Sequence, residues 1–157
     1  MSTFQIALLL HLFGAVLFAA GLVVAGVSFL TARGRSSARE IAAVLALART
    51  GVLIAGAGSV ILLGFALWLV HLGGFSYSET WISAALALFI AAGVTGGIAG
   101  QAPKKARRLA GRLALETDQR TPELDRLLGN PASLALNAAA ALMVGAILLL
   151  MVWRPGS

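Results

Sequence analysis

Four long apolar runs, over about residues 4–30, 50–72, 81–100 and 131–153, constrain this chain more than any other feature. A helix rises 1.5 Å per residue, so ~20 apolar residues cross a hydrocarbon core ~30 Å thick, and each run has about that length. With 59% apolar residues, 11% charged residues and a mean hydropathy of +0.93, the chain has too few polar side chains to cover a soluble surface. The runs predict an all-α membrane four-helix bundle, a single transmembrane domain over residues 1–157. A soluble bundle of very large buried helices is the alternative, and the run lengths argue against it.

The run boundaries carry their own signals. No Lys or Arg precedes the first run, which is also too long for a cleavable signal peptide, so it reads as a retained helix. Ser37 and Glu40 have the Ser-x-x-Glu spacing of a capping box, which starts the second helix at about Ala38. From there to Leu72 the helix would measure ~52 Å, so its first turns must lie outside the hydrocarbon, with Arg49 marking the crossing. Gly73 and Gly74 end it. Asn130 and Pro131 predict the cap and first turn of the last span.

Eleven of the twelve basic residues lie between runs one and two or between runs three and four; Arg154 is the exception. The positive-inside rule makes residues 31–49 and 101–130 cytoplasmic loops and puts both termini outside. Arginine outnumbers lysine ten to two and alanine is abundant, the usage of a GC-rich bacterial genome, so the expected location is a bacterial inner membrane. Trp68, Tyr77, Trp81 and Trp153 then gather at the outer rim, where amphipathic aromatic rings are at home. The net charge of +6 flanks apolar runs and forms no soluble basic face, which argues against nucleic acid as a partner.

In the second basic loop, Lys104, Lys105, Arg107, Arg108 and Arg112 alternate with Ala106, Leu109, Ala110 and Leu113 at helical spacing. This predicts an amphipathic helix over Lys104 to Glu116, lying on the membrane surface with those cations at the headgroups. Thr121, Pro122 and Glu123 open a second, short helix that Gly129 closes. In run three, Gly93 with Gly97 and Gly96 with Gly100 form small-xxx-small pairs, expected to pack closely against a helix of this bundle or of another subunit. Run one offers Gly14, Gly21 and Ala25 for packing, and run two offers Gly51, Gly56 and Gly58.

Groups able to do chemistry are few. Cysteine is absent, which removes disulfides, thiolate ligands and thiol nucleophiles. All six acidic residues lie outside the runs, which argues against an intramembrane carboxylate proton relay. There is no Ser/His/acid arrangement and no phosphate-binding glycine loop. Two histidines remain. His11 lies 22 residues before Arg33, and His71 lies 22 residues after Arg49. Counted from those anchors, both sit ~33 Å from the inner face, so two antiparallel helices would present them at one height. Met151 falls at a similar level, and this set suits haem b or copper. The plainer reading gives His71 a hydrated place at the headgroups and His11 a hydrogen bond to a neighbouring helix.

The stretch from Leu9 to Gly21, with the ending Leu150-Met151-Val152-Trp153-Arg154-Pro155, resembles an uncharacterised family of small bacterial four-span membrane proteins. That family is distantly similar to the copper-resistance protein D family and to the membrane protoporphyrinogen oxidases. The resemblance implies a haem- or copper-associated histidine early in span one, which is His11 here. No second ligand and no extra charged span residues of the oxidase can be matched. The chain is expected to be a non-enzymatic accessory or structural subunit of a larger bacterial membrane assembly, redox or photosynthetic. Its partners would be the lipid bilayer and other membrane subunits or further copies of itself. The alternatives are a haem- or copper-binding protein using His11 and His71, and a small transporter.

Overall fold

A computed structural model describes residues 2–153, so Arg154 and the residues after it lie outside the described part. Among these residues six helices follow one another: α1 (Thr3–Arg33), α2 (Ala38–Leu72), α3 (Thr80–Ala99), α4 (Gln101–Glu116), α5 (Pro122–Leu128) and α6 (Pro131–Trp153). Four apolar segments are long enough to cross a membrane; they contain α1, α2, α3 and α6.

Local chemistry explains most of the ends. Ser2 caps α1 by accepting from the Gln5 amide at 3.3 Å, while the Gln5 side chain accepts from the Ser2 amide at 2.9 Å. Ser37 caps α2 by accepting from the Glu40 amide at 3.2 Å, so the cap half of the expected box is present. Thr121 caps α5 ahead of Pro122, and the Asn130 side chain accepts from the Ser133 amide at 3.0 Å at the start of α6. Gly100 alone separates α3 from α4, and its backbone is itself near-helical, so one rod runs almost continuously from Thr80 to Glu116.

The four spans pack as two antiparallel pairs, α1 with α2 and α3 with α6. In the first pair the seam is made of small residues spaced by seven: Ala7, Gly14, Gly21 and Ser28 are all buried on α1, as are Gly51 and Gly58 on α2. A Cβ added at Gly14, Gly21, Gly51 or Gly58 would come within 3.0 Å of backbone atoms of the facing helix. At these four places glycine is required, because backbone cannot move aside as a flexible side chain can. Lipid gives apolar side chains nothing to escape from, so the pair is held by the dispersion contacts that such close approach permits. Facing residues are Gly14 with Leu62, Phe18 with Gly58, Gly21 with Ala55, and Ala25 with Gly51, so the two numbers of each pair total 76.

The second pair follows the same rule with alanine. Ala85, Ala92 and Ala99 are buried on α3, seven residues apart, opposite buried Ser133 and Ile147 and half-buried Ala140 on α6. The buried Ser133 hydroxyl donates to the Ala99 carbonyl at 2.7 Å and fixes the register.

The two pairs meet at their basic end. Phe29 and Ala32 of α1, Ile41, Leu45 and Ala48 of α2, Ala106, Leu109 and Ala110 of α4, and Leu124 and Leu128 of α5 form one core. Among the described residues the largest fully buried side chains, Ile41, Leu45, Leu124 and Leu128, all lie there. The apolar stripe of α4 therefore packs on protein, against the protruding first turns of α2, and is not turned to lipid. An amphipathic pattern reports that one face is apolar and leaves open whether lipid or protein covers it.

Candidate functional site

His11 sits in the α1–α2 seam in the series Phe4, His11, Phe18 and Ala25, where the register sets it opposite Phe65. Its ring is half-buried, and Nδ1 lies 3.0 Å from the Leu62 carbonyl oxygen across the seam. A carbonyl can only accept, so Nδ1 carries the proton and donates. A neutral ring then presents its lone pair on Nε2. That nitrogen has no hydrogen-bond partner among the described residues and is not a buried unsatisfied atom, so it is reachable from outside the chain. An Nδ1–H donated to a backbone carbonyl with Nε2 left open is how proteins orient an imidazole for ligation. Phe65 and Trp68, with ring centroids 5.8 Å apart, stand on α2 at and just beyond this level.

The structure does not bring the other two expected ligands to His11. By the seam register His71 lies opposite Gln5, ~9 Å farther along the axis than His11. It is nine residues past Leu62, half a turn around α2 from the face that meets α1, and it is exposed. His71 lies in the last turn of α2. Met151 is half-buried on α6, in the other helix pair. Among the described residues no group of three or more His, Asp or Glu side chains is placed to hold a metal ion.

On α3, a Cβ added at Gly93, Gly96 or Gly97 would meet nothing within 4 Å, and one at Gly100 would meet only carbonyls of its own helix. Among the described residues nothing packs closely on this glycine face; the close contacts are in the α1–α2 seam. Val94 and Ile98 flank it and are exposed.

Of the five basic residues of α4, Lys104, Lys105, Arg108 and Arg112 are exposed and Arg107 is half-buried. None of them is paired with a carboxylate among the described residues.

Two further features carry weight and were not singled out from the sequence. The first is a clasp formed by the turn between α4 and α5. Asp118, in the left-handed region at φ 52°, accepts from the Arg39 amide at 2.7 Å through its carboxylate and from the Ala38 amide at 3.4 Å through its carbonyl. Arg120 donates to the Arg33 carbonyl at 3.0 Å and to the Arg35 carbonyl, and is ion-paired with Asp125. A carboxylate thus meets the positive end of α2 and a guanidinium meets the negative end of α1. The sequence signal was Asp118 itself, a residue type that tolerates the left-handed region in a turn. The second is Asn137 in α6, an amide at membrane depth that donates to the Ser133 carbonyl at 2.9 Å.

The fold and these placements define a multi-pass, all-α integral membrane protein with four spans. The chain matches the family described as "Predicted integral membrane protein (DUF2269)" over residues 5–155 and belongs to that family. No curated protein and no solved structure matches it.

Proposed function

We infer that the chain is a non-enzymatic subunit of a larger assembly in a bacterial inner membrane, with its basic end in the cytoplasm and both termini outside. The observation that supports this most is the α3 face of Gly93, Gly96 and Gly97. Glycines that serve this chain's own packing lie against backbone in the α1–α2 seam, whereas these three, like the separately placed Gly26, Gly56, Gly64 and Gly145, meet nothing among the described residues, and they gather within five residues of one helix. Small residues gathered on one face of a span let another helix approach closely. A partner span, from another subunit or from a second copy, supplies that helix. Purification from the native host in mild detergent tests the reading: a particle larger than one chain in its micelle is expected, and a lone chain refutes it.

A second reading rests on the His11 geometry. With Nδ1 held by Leu62 and Nε2 open, His11 is oriented to ligate haem iron or copper at the edge of the α1–α2 pair. Any further ligand would come from a partner chain or a small molecule, because His71 and Met151 lie elsewhere. The visible spectrum and metal content of the native preparation separate the readings. A Soret band that His11→Ala abolishes supports ligation; a colourless preparation free of iron and copper removes it.

A further inference from the structure

At the basic end, a cleft opens between the last turn of α1 and the short helix α5. Leu30 gives it apolar surface above the buried Leu128, and Arg33, Arg120 and Asp125 give it charge. Leu30 is the last exposed apolar side chain of α1 and stands three residues before Arg33. The fourth span begins two residues after Gly129, which also lines the cleft. The cleft therefore lies where the lipid-facing surface of spans one and four gives way to the basic headgroup layer.

Its charges are unequally committed. Arg120 is held by Asp125 and by the α1 carbonyls, leaving Nη2 without a partner among the described residues. The exposed Arg33 guanidinium has no ion-pair or hydrogen-bond partner there at all. With Arg120 balanced by Asp125, the cleft carries one net positive charge, supplied by Arg33. We propose that this cleft binds a phosphate group, carried by an anionic phospholipid of the leaflet at the basic end. The single negative charge of the phosphodiester meets Arg33 and the free edge of Arg120, and an acyl chain descends past Leu30. A planar guanidinium suits phosphate oxygens, and basic pockets at the ends of spans are recurring headgroup sites. This site does not depend on the subunit reading above, which concerns the opposite helix pair at membrane depth.

The test uses the full-length chain, delipidated in neutral detergent and titrated with phosphatidylglycerol or with phosphatidylcholine of the same acyl chains, read by native mass spectrometry. One phosphatidylglycerol per chain should bind about fivefold more tightly than phosphatidylcholine, the contribution of one cation near an anionic surface. Arg33→Ala should bring the two lipids to parity, Arg33→Lys should keep part of the preference, and Lys105→Ala, outside the cleft, should keep all of it. Inorganic phosphate at constant ionic strength forms a third arm. If it binds with the same Arg33 dependence while the lipids bind alike, the cleft serves a soluble phosphate and the lipid assignment is overturned. Equal binding of both lipids by the parent with no Arg33-dependent binding of phosphate, or equal loss in the Arg33 and Lys105 variants, overturns the site altogether.

Discussion

Replacing Gly21 by alanine should separate the α1–α2 pair, and the magnitude follows from the seam geometry. The added Cβ would lie within 3.0 Å of the Ala55 backbone, where ordinary contacts are 3.4–4 Å, so the helices must part by several tenths of an ångström or more. A radial gap of ~0.5–1 Å already forfeits a quarter to a half of a dispersion well, and the loss is repeated along the seam. Overpacking of this kind costs ~1–3 kcal/mol, against which alanine regains up to ~1 kcal/mol of helix propensity. The net expectation is ~1–2 kcal/mol of destabilisation. Gly51 lies in the same contact, since a Cβ at either glycine would meet the carbonyl of the other. The double variant Gly21→Ala/Gly51→Ala should therefore lose less than the sum of the singles, because the first methyl has already opened the gap. Gly26→Ala and Gly56→Ala are the controls, with nothing within 4 Å of either Cβ. They should be neutral or stabilising by a few tenths of a kcal/mol. Unfolding in mixed micelles titrated with sodium dodecyl sulfate, followed by circular dichroism, measures all of these. If Gly21→Ala unfolds like Gly26→Ala, the seam is not where the pair is held.

The clasp at the basic end is tested by Asp118→Ala, which removes the carboxylate at the start of α2 and should cost ~1 kcal/mol, as loss of a helix cap does. Arg120→Ala should cost ~1.5–3 kcal/mol by stripping charge-assisted bonds from two α1-end carbonyls, and should expose the α1–α2 connection at residues 34–37 to protease; an unchanged cleavage pattern would count against the clasp. Topology reporters fused after Gly34 and Gly111 should read cytoplasm and one after Ser76 periplasm; a periplasmic signal at Gly111 reverses the orientation. Ser133→Ala removes the 2.7 Å bond to Ala99 and should cost only ~0.6 kcal/mol, the average for such bonds between membrane helices.

The sequence shows the spans well because membrane thickness sets their length, and it shows their ends because caps are local: Ser37, Thr121 with Pro122, and Asn130 all act within three residues of themselves. Contacts between helices are another matter. The small-xxx-small pairs of α3 are conspicuous within one run, yet Gly14, Gly21, Gly51 and Gly58, seven apart, make the close contact. Seeing that requires reading two runs against each other in antiparallel register. The same register explains the histidines. Counting from Arg33 and Arg49 assumes that both arginines stand at one height, but Arg49 lies level with Val27, six residues short of Arg33. That offset moves His71 away from His11 by ~9 Å. The place of α4 was hidden for a different reason, since lipid and a protein core select the same apolar stripe.

The subunit reading is tested most directly by the size of the purified particle with and without Gly97→Leu. No described residue lies within 4 Å of a Cβ at Gly97, so the leucine should leave the chain's own circular dichroism and unfolding unchanged. It should nonetheless reduce the native particle, measured by light scattering corrected for detergent, to a single chain. A Gly97→Leu protein that stays in a particle of parental size would contradict the reading, as would a parent that is already a single chain.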